Sequence, residues 1–433
     1  MARGKKKESA LTPEEKLAQA LVPDWEQPYK VPENWCWAHW GNCGEFTAGN
    51  GFKNEYQGFQ DLPIPFYKVG SLKYSDSSGY LYDESNTIDE EIRGKLKATI
   101  IPVNSVIFAK IGEAIRLNRR SLNAVPCCID NNLMAFIANE SCLYSYAFYW
   151  SKGTELYDFT NATTVPAIRK SDLEMIPFPL PPLAEQQRIV DRIEYLFAKL
   201  DEAKEKAQSV LDSFETRKAA ILHKAFTGEL TAKWRAECGV EQDSWQSTKF
   251  RDFCLLKRGF DLPASQRVKG DYPLVSSSGV IDCHNTAQVK GPGVVTGRSG
   301  TIGKVFYIEG DYWPLNTTLY SEKLFGNDAR YVCYYLHTFD FKSFSSSTAV
   351  PTLNRNLFLD VMVLVPSVNE QREIVRILDS LLTKEQQAKE AAEAVLEKID
   401  LLKKSILARA FRGELGTNDP SEESALELLK TIL

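Results

Sequence analysis

The sequence predicts an α/β (α+β) protein: two similar globular domains separated by two long helices that pair as an antiparallel coiled coil with pseudo-two-fold symmetry. Three observations predict it. A shift of 185 residues lays Val165-Pro166 on Val350-Pro351 and keeps one register, without a gap, until Leu230 meets Leu415. Within that window Glu185-Gln186 falls on Glu370-Gln371, Ile189-Val190 on Ile374-Val375, and Phe226-Thr227-Gly228-Glu229-Leu230 on Phe411-Arg412-Gly413-Glu414-Leu415. A repeat separated by a whole domain's length describes a chain of two similar halves. The second observation is the alternating spacing of four and three between apolar residues in both copies, the a and d pattern of a coiled-coil seam. The third is the change of texture ahead of each copy, where short β-like runs alternate with turns and end in an aromatic helix.

Residues 1–28 form a polar arm. Thr12-Pro13-Glu14-Glu15 reads as a helix cap, a proline in the first turn and acidic residues beside the helix N-terminus, followed by Leu17, Ala18 and Leu21. The first globular domain spans 29–180. It opens at Trp35, Trp37 and Trp40, crosses a turn region with Gly41, Gly44, Gly49 and Gly51, and continues through three β segments, Ile64–Val69, Val103–Lys110 and Ile129–Ile137. An aromatic helix from Leu143 to Trp150 follows.

The first long helix is expected over 181–230 and the second over 366–415. Pro181-Pro182 and Pro366 stand ahead of the two starts, Gly228 and Gly413 just past the two ends. About forty residues at roughly 1.5 Å each give a rod of about 60 Å, whose single apolar stripe needs a partner. The first stripe is Ile189, Ile193, Leu196, Leu200, Ala203, Ala207, Val210, Phe214 and Ile221, the second Ile374, Leu378, Leu381, Ala388, Ala392, Val395, Ile399, Leu402 and Ile406. Arg217 and Glu385 are polar seam positions. Similar connections at both ends require the helices to run antiparallel. If facing residue numbers add to 602, Arg217 meets Glu385, Leu200 meets Leu402, Val210 meets Ala392 and Phe214 meets Ala388. Large residues then face small ones and the charge is paired. One heptad away, Arg217 would point at Leu378.

The second globular domain, 231–365, opens at Trp245-Gln246-Ser247 and reads as a shorter version of the first. Its β runs are Tyr272–Val275, Gly293–Arg298 and Val305–Ile308, with an aromatic helix from Tyr331 to Leu336, and Asn131 and Asn316 share the same shift of 185. Residues 416–433 make an acidic tail that ends in an amphipathic helix around Ala425–Leu429.

The chain has 433 residues, 43% hydrophobic and 25% charged, the profile of a soluble protein with more than one core. No apolar run reaches the length of a membrane span, and Met1–Lys7 lacks a signal peptide's apolar stretch, so the expected location is cytoplasmic with no membrane contact. Nine cysteines without Cys-x-x-Cys spacing and four histidines point to reduced thiols and no metal site. A net charge of −5 excludes a polycation that coats nucleic acid everywhere but leaves room for a local basic face. That charge is unevenly distributed: 245–355 holds 13 Lys and Arg against 9 Asp and Glu, whereas 30–165 holds 12 against 15.

The sequence holds no convincing catalytic constellation. The run Gly300-Thr301-Ile302-Gly303-Lys304 has the wrong spacing for a phosphate loop and is followed by Val305. An Asn/Asp-Pro-Pro-aromatic signature of amino-methyltransferases is missing, since Pro181-Pro182 is flanked by Leu180 and Leu183. Glu202-Ala203-Lys204 lies within a heptad, where surface ion pairing is the ordinary role. What each globular part does offer is basic and polar loop residues. The first has Lys110, Arg116, Arg119 and Arg120 after a strand; the second has Lys257, Arg258, Ser277, Arg298, Ser299, Thr301 and Lys304. Such side chains neutralise phosphates or read base edges, so these eleven are the candidate DNA contacts. A single cluster would be an ordinary solvated surface. Two similar domains held apart by a rod match a bipartite site on DNA.

The order of domain, helix with Pro182-Leu183-Ala184-Glu185-Gln186-Gln187-Arg188-Ile189-Val190, Phe226-Thr227-Gly228-Glu229-Leu230, second domain, and second helix with Glu370-Gln371-Arg372-Glu373-Ile374-Val375 and Phe411-Arg412-Gly413-Glu414-Leu415 resembles the specificity subunit of type I restriction-modification systems. The resemblance covers nearly the whole chain and rests on the helical motifs. It implies two target recognition domains, each reading one half of a bipartite double-stranded DNA site, with the helices setting the spacer. It implies two methyltransferase subunits as partners, with restriction subunits attached through them. Adenine N6-methylation, ATP-dependent cleavage, S-adenosylmethionine, ATP and Mg would all belong to those partners, leaving this chain without catalytic residues or cofactors. The competing readings are a two-headed protein-binding scaffold and a DNA-modifying enzyme with an unrecognised site.

Overall fold

A computed structural model describes residues 12–161, 165–241, 243–345 and 352–432. Met1–Lys7 and Val350-Pro351, both used above, lie outside the described residues. The chain divides into two compact units, Met1–Glu205 with Leu396–Leu433, and Lys206–Val395.

The first unit is built on a five-stranded sheet in the order Gly44–Ala48, Leu133–Ala138, Val106–Ala109, Arg120–Asn123, Tyr80–Leu81. Val106–Ala109 is buried at every residue, which is why it reads as an unbroken apolar run. The helix Tyr144–Gly153, buried from Tyr146 to Ser151, packs on this sheet, and Trp40 fills the centre. The expected run Ile129–Ile137 is split. Asp130 Oδ1 accepts the Asn132 N–H at 2.9 Å, and this turn separates Cys128–Ile129 from Leu133–Ala138. The expected strand Val103–Lys110 starts only at Val106, because Asn104 sits at φ 62°. The arm helix Pro13–Ala20 is closed by a reciprocal capping box between Thr12 and Glu15, at 3.2 and 2.8 Å, and Ala20 joins the core.

The second unit repeats the plan. Its sheet runs Leu255–Arg258, Thr318–Lys323, Gly293–Gly297, Val305–Ile308, the counterparts of the first four strands above. In each unit a small three-stranded sheet holds one parallel pair: Ile64–Tyr67 with Cys128–Ile129, and Lys269–Ser276 with Trp313–Pro314. In each unit an antiparallel strand pair precedes the long helix: Cys36–His39 with Pro177–Leu180, and Gln246–Lys249 with Met362–Val365. The helix Ala329–Thr338 matches Tyr144–Gly153.

The long helices are Leu183–Phe226 and Val368–Ala410. Gly228 and Gly413 follow them at φ 80° and 73°, in the left-handed conformation that ends a helix and suits glycine. In the second unit Arg217 Nε donates to Glu385 Oε2 at 2.8 Å, and Lys389 Nζ lies 4.9 Å above the Phe214 ring. One residue number falls as the other rises, so the helices run antiparallel there. In the first unit Lys403 Nζ donates to Asp201 Oδ1 at 2.6 Å and lies over the Phe197 ring.

The seam departs from expectation at three positions, Ala388, Val395 and Leu402. Val395 and Leu402 are 40% and 47% exposed, while their neighbours Leu396 and Lys403 are half-buried. Ala388 is likewise exposed, and Lys389 is half-buried. Beyond Glu385 the half-buried and buried positions 389, 392, 396, 399, 403, 406 and 410 keep the heptad's alternation of three and four, with 389, 396 and 403 in place of 388, 395 and 402. Ala392, Ile399 and Ile406 belong to both stripes, so the helix is turned about its axis by roughly half of the 100° between successive residues, which exchanges Val395 and Leu402 for Leu396 and Lys403 on the buried face.

Where each long helix begins, Glu185-Gln186 and Glu370-Gln371 are buried and act as clamps. Gln186 accepts the Leu143 N–H at 2.8 Å and donates to the Ser141 and Pro181 carbonyls. Gln371 does the same with the Asp328 N–H, Asn327 and the Pro366 carbonyl. Glu185 Oε2 accepts from Trp35 Nε1 at 2.7 Å and from Asn418 Nδ2 at 2.9 Å. Glu370 Oε1 accepts from Thr231 Oγ1 at 2.7 Å and pairs with Arg235 Nη1. Each carboxylate therefore holds the segment that follows one Phe-x-Gly-Glu-Leu motif.

Close backbone approach fixes a glycine in each unit. Gly49 and Gly259 donate to Leu133 and Thr318 carbonyls, and a Cβ on either would overlap the carbonyl oxygen of Asp130 or Leu315. Gly259→Ala is expected to destabilise the second unit by about 1–3 kcal/mol, the cost of forcing a methyl into packed backbone. Thermal unfolding checks this, and an unchanged midpoint would contradict it.

Candidate nucleic-acid interface

The same arch of backbone closes the end of an interior strand in both units. Lys110 N donates to the Asn132 carbonyl at 2.9 Å, and its own carbonyl accepts the Ile168 N–H at 2.9 Å. Arg298 N donates to the Thr317 carbonyl at 2.9 Å, and its carbonyl accepts the Leu353 N–H at 2.8 Å. Lys110 and Arg298 thus hold equivalent places, each with a cationic side chain leaving the end of the central strand. Asn132 and Thr317, Ile168 and Leu353 keep the shift of 185 seen in the sequence.

In the first unit, burial pulls the Lys110 ammonium below its usual pKa, and the nearby Asp130 partly offsets this. Burial raises Asp130 in turn. Arg116 is exposed, pairs with Glu113 at 2.9 Å and lies 3.5 Å over the Tyr157 ring, which holds its fork in a fixed plane. Arg119 is exposed beside it. Arg120 is not a surface residue. It is 4% exposed, donates to Asn118 Oδ1 at 2.6 Å and to the Arg119 and Thr154 carbonyls, and burial lowers its pKa. Arg120 opens the strand Arg120–Asn123, which is buried at every residue, whereas Arg119 lies just ahead of it and is exposed, so Arg120 is a framework residue rather than a DNA contact.

In the second unit Ser277, Arg298, Ser299 and Thr301 come together. Ser277 N donates to Thr317 Oγ1 at 3.3 Å, Ser299 N to the Thr317 carbonyl at 3.2 Å, and Gly297 leaves no room for a Cβ beside the Thr301 carbonyl. Arg258 borders the same cleft as Arg298, together with Asn354, Arg355 and Asn356, which the sequence reading missed. Their only sequence signal was the repeated Val-Pro ahead of them. Lys257 pairs with Glu322 at 2.7 Å, which raises its pKa, and Lys304 is exposed at the start of the strand Val305–Ile308.

Among the described residues no group of three or more His, Cys, Asp or Glu could hold a metal ion, and no helix is long and apolar enough to cross a membrane. None of the nine cysteines is in a disulfide.

The sequence profile of the family described as "Type I restriction modification DNA specificity domain" matches this chain twice, at residues 46–211 and 242–398. The chain is 22% identical over 430 residues to the type I restriction enzyme StySPI specificity subunit of Salmonella potsdam, covering 89% of this chain and 90% of that one. It is 27% identical over 239 residues to the type I restriction enzyme EcoDI specificity subunit of Escherichia coli, covering 54% of this chain and about half, 51%, of that one. Among solved structures, the HsdS subunit of Thermoanaerobacter tengcongensis superposes with a TM-score of 0.65 at 18% identity, over 90% of this chain and 99% of the other, a likeness of fold.

Proposed function

Since the chain belongs to the type I restriction-modification DNA specificity family, whose domain it carries twice, we propose that it is the DNA sequence-specificity subunit of such a complex, each globular domain reading one half of a bipartite site. The observation that carries the two-headed reading is the repeated arch that ends in Lys110 in one unit and Arg298 in the other. The same pair of backbone bonds carrying a different side chain in each unit suits two half-sites of different sequence.

The paired helices set the spacer and, with the arm and the terminal helix, dock two methyltransferase subunits, through which restriction subunits attach. S-adenosylmethionine, ATP and Mg bind in those partners. The target adenine is flipped toward a methyltransferase subunit, since chemistry on a base requires it out of the stack. The partners also supply much of the phosphate neutralisation, which reconciles DNA binding with a chain of net charge −5. A protein-binding scaffold has no comparable support.

Mapping N6-methyladenine in cells that express the chain with its methyltransferase subunits tests the reading. A two-part motif is the expected result; an undivided motif, or none, contradicts it. Arg298→Ala is expected to weaken recognition of one half only, by about 1–3 kcal/mol if it reads a base edge. Competition binding with each half-site altered in turn measures this, and equal loss across unrelated sequences would make Arg298 a phosphate contact.

A further inference from the structure

Three arginines from separate segments converge on one cleft of the second unit. The cleft has a volume of about 450 Å³ and is lined by Arg258, Arg298, Leu319, Asn354, Arg355 and Asn356, among others. Arg258 ends the strand Leu255–Arg258 and faces Leu319 on the neighbouring strand. Arg298 follows the strand Gly293–Gly297, and its carbonyl holds Leu353. Arg355 comes from the turn beyond, where its Nη1 donates to the Leu256 carbonyl at 2.8 Å and fixes the guanidinium in place.

The charged groups of the lining are all donors, and Thr352, Asn354 and Asn356 supply its other polar side chains. A guanidinium has no acceptor. Asn354 commits its side-chain oxygen to the Asn356 N–H at 3.1 Å, which leaves its amide NH2 to donate. Counter-charge is sparse: Arg258 is 3.5 Å from Asp261, which also binds Asn316, and among the described residues neither Arg298 nor Arg355 is in an ion pair. Like charges brought together repel, so the arrangement favours a ligand group that supplies acceptors. On DNA two groups meet that description, a phosphate oxygen and the N7/O6 edge of guanine, which arginine grips with two parallel bonds.

The first unit puts other residues at the same places. Ala48, paired with Met134 as Arg258 is with Leu319, stands for Arg258. Lys110 stands for Arg298, and Lys170, exposed and 3.7 Å from Glu174, stands for Arg355 at the shift of 185. A feature carried by one unit alone serves one half-site alone.

We propose that Arg355, together with Arg258 and Arg298, forms a docking cleft for an acceptor-only group of the DNA half-site read by the second unit. This rests on the two-headed reading above. The test uses the full chain in complex with its methyltransferase subunits, bound to DNA carrying the mapped motif over a range of salt. Arg355→Ala is expected to weaken binding roughly 5- to 150-fold, the span for losing one such contact. Arg258→Ala, which removes no tether to backbone, should weaken binding in the same way and guards against a misfolded Arg355 variant. If the group is guanine, the loss follows one base of the second half-site, 7-deazaguanine there reproduces it in the wild type, and Arg355→Lys does not rescue. If it is a phosphate, weakening is uniform across sequences, the salt slope falls by about one, and Arg355→Lys largely rescues. Either result supports the cleft. Binding within twofold of wild type for both alanine variants overturns it while the bipartite motif stands. A wild-type complex without a bipartite motif overturns the underlying reading instead.

Discussion

Arg235→Ala is expected to destabilise the second unit by about 3–5 kcal/mol, the range for removing one partner of a buried ion pair. The side chains of Arg235 and Glu370 are 6% and 1% exposed, so the carboxylate cannot turn to water when its partner goes. Arg235 Nη2 also donates to the Gly228 carbonyl at 2.6 Å, and Nη1 to Thr231 Oγ1 at 3.1 Å, so the change strips bonds from the turn that ends the first long helix. For a unit of this size the loss is a fall of roughly 6–20 °C in the unfolding midpoint. Replacing both partners, as Arg235→Met with Glu370→Leu, should cost less than Arg235→Ala alone, because no charge is left stranded. A double variant as unstable as the sum of the singles would show that the stranded charge is not the cause.

Trp40→Ala is expected to cost the first unit about 3–5 kcal/mol, the range for emptying a large aromatic site in a core. Trp40 is fully buried, with Phe46, Trp150 and Phe136 at ring-centroid distances of 4.7, 4.8 and 4.9 Å. Its Nε1 is buried without a hydrogen-bond partner, so Trp40→Phe forfeits volume but no bond and should cost much less. Trp25, 84% exposed, is the matching control, and Trp25→Ala should stay within about 0.5 kcal/mol of wild type. Denaturant unfolding orders the three variants. Equal midpoints for Trp40→Ala and Trp25→Ala would contradict the central place given to Trp40.

What could be read from the sequence was whatever is local or repeated. The two long helices announce themselves by period and by the shift of 185, and the buried strand Val106–Ala109 by its unbroken apolar run. The pairing of Arg217 with Glu385 followed from matching large to small residues along two stripes. Past Glu385 the same reasoning misplaced Val395 and Leu402, because the heptad spacing is kept but apolar spacing alone does not say which flank of the shared positions Ala392, Ile399 and Ile406 turns inward. Glu185 and Glu370 stood out as repeated residues, but their partners Trp35, Asn418 and Arg235 lie far off in the chain, and nothing local signals burial. Arg119 and Arg120 look alike as neighbours, but the buried strand begins between them, which leaves Arg119 exposed and Arg120 walled in. Arg355 went unremarked because it lies 57 positions from Arg298, and only the closed arch brings the two to one cleft.

The first unit is discontinuous, assembled from Met1–Glu205 and Leu396–Leu433. Ala410, Phe411, Ala425 and Leu429 belong to the same core as Trp40, and Arg188 grips Glu422 with two bonds of 2.7 and 2.8 Å. The second unit is one uninterrupted stretch. During translation, then, the half that leaves the ribosome first is the half that finishes last, with an open face waiting for the final residues to arrive. A nascent chain that stalls after Val395 would carry one completed reading head and one unsealed core, a ready substrate for chaperones and proteases.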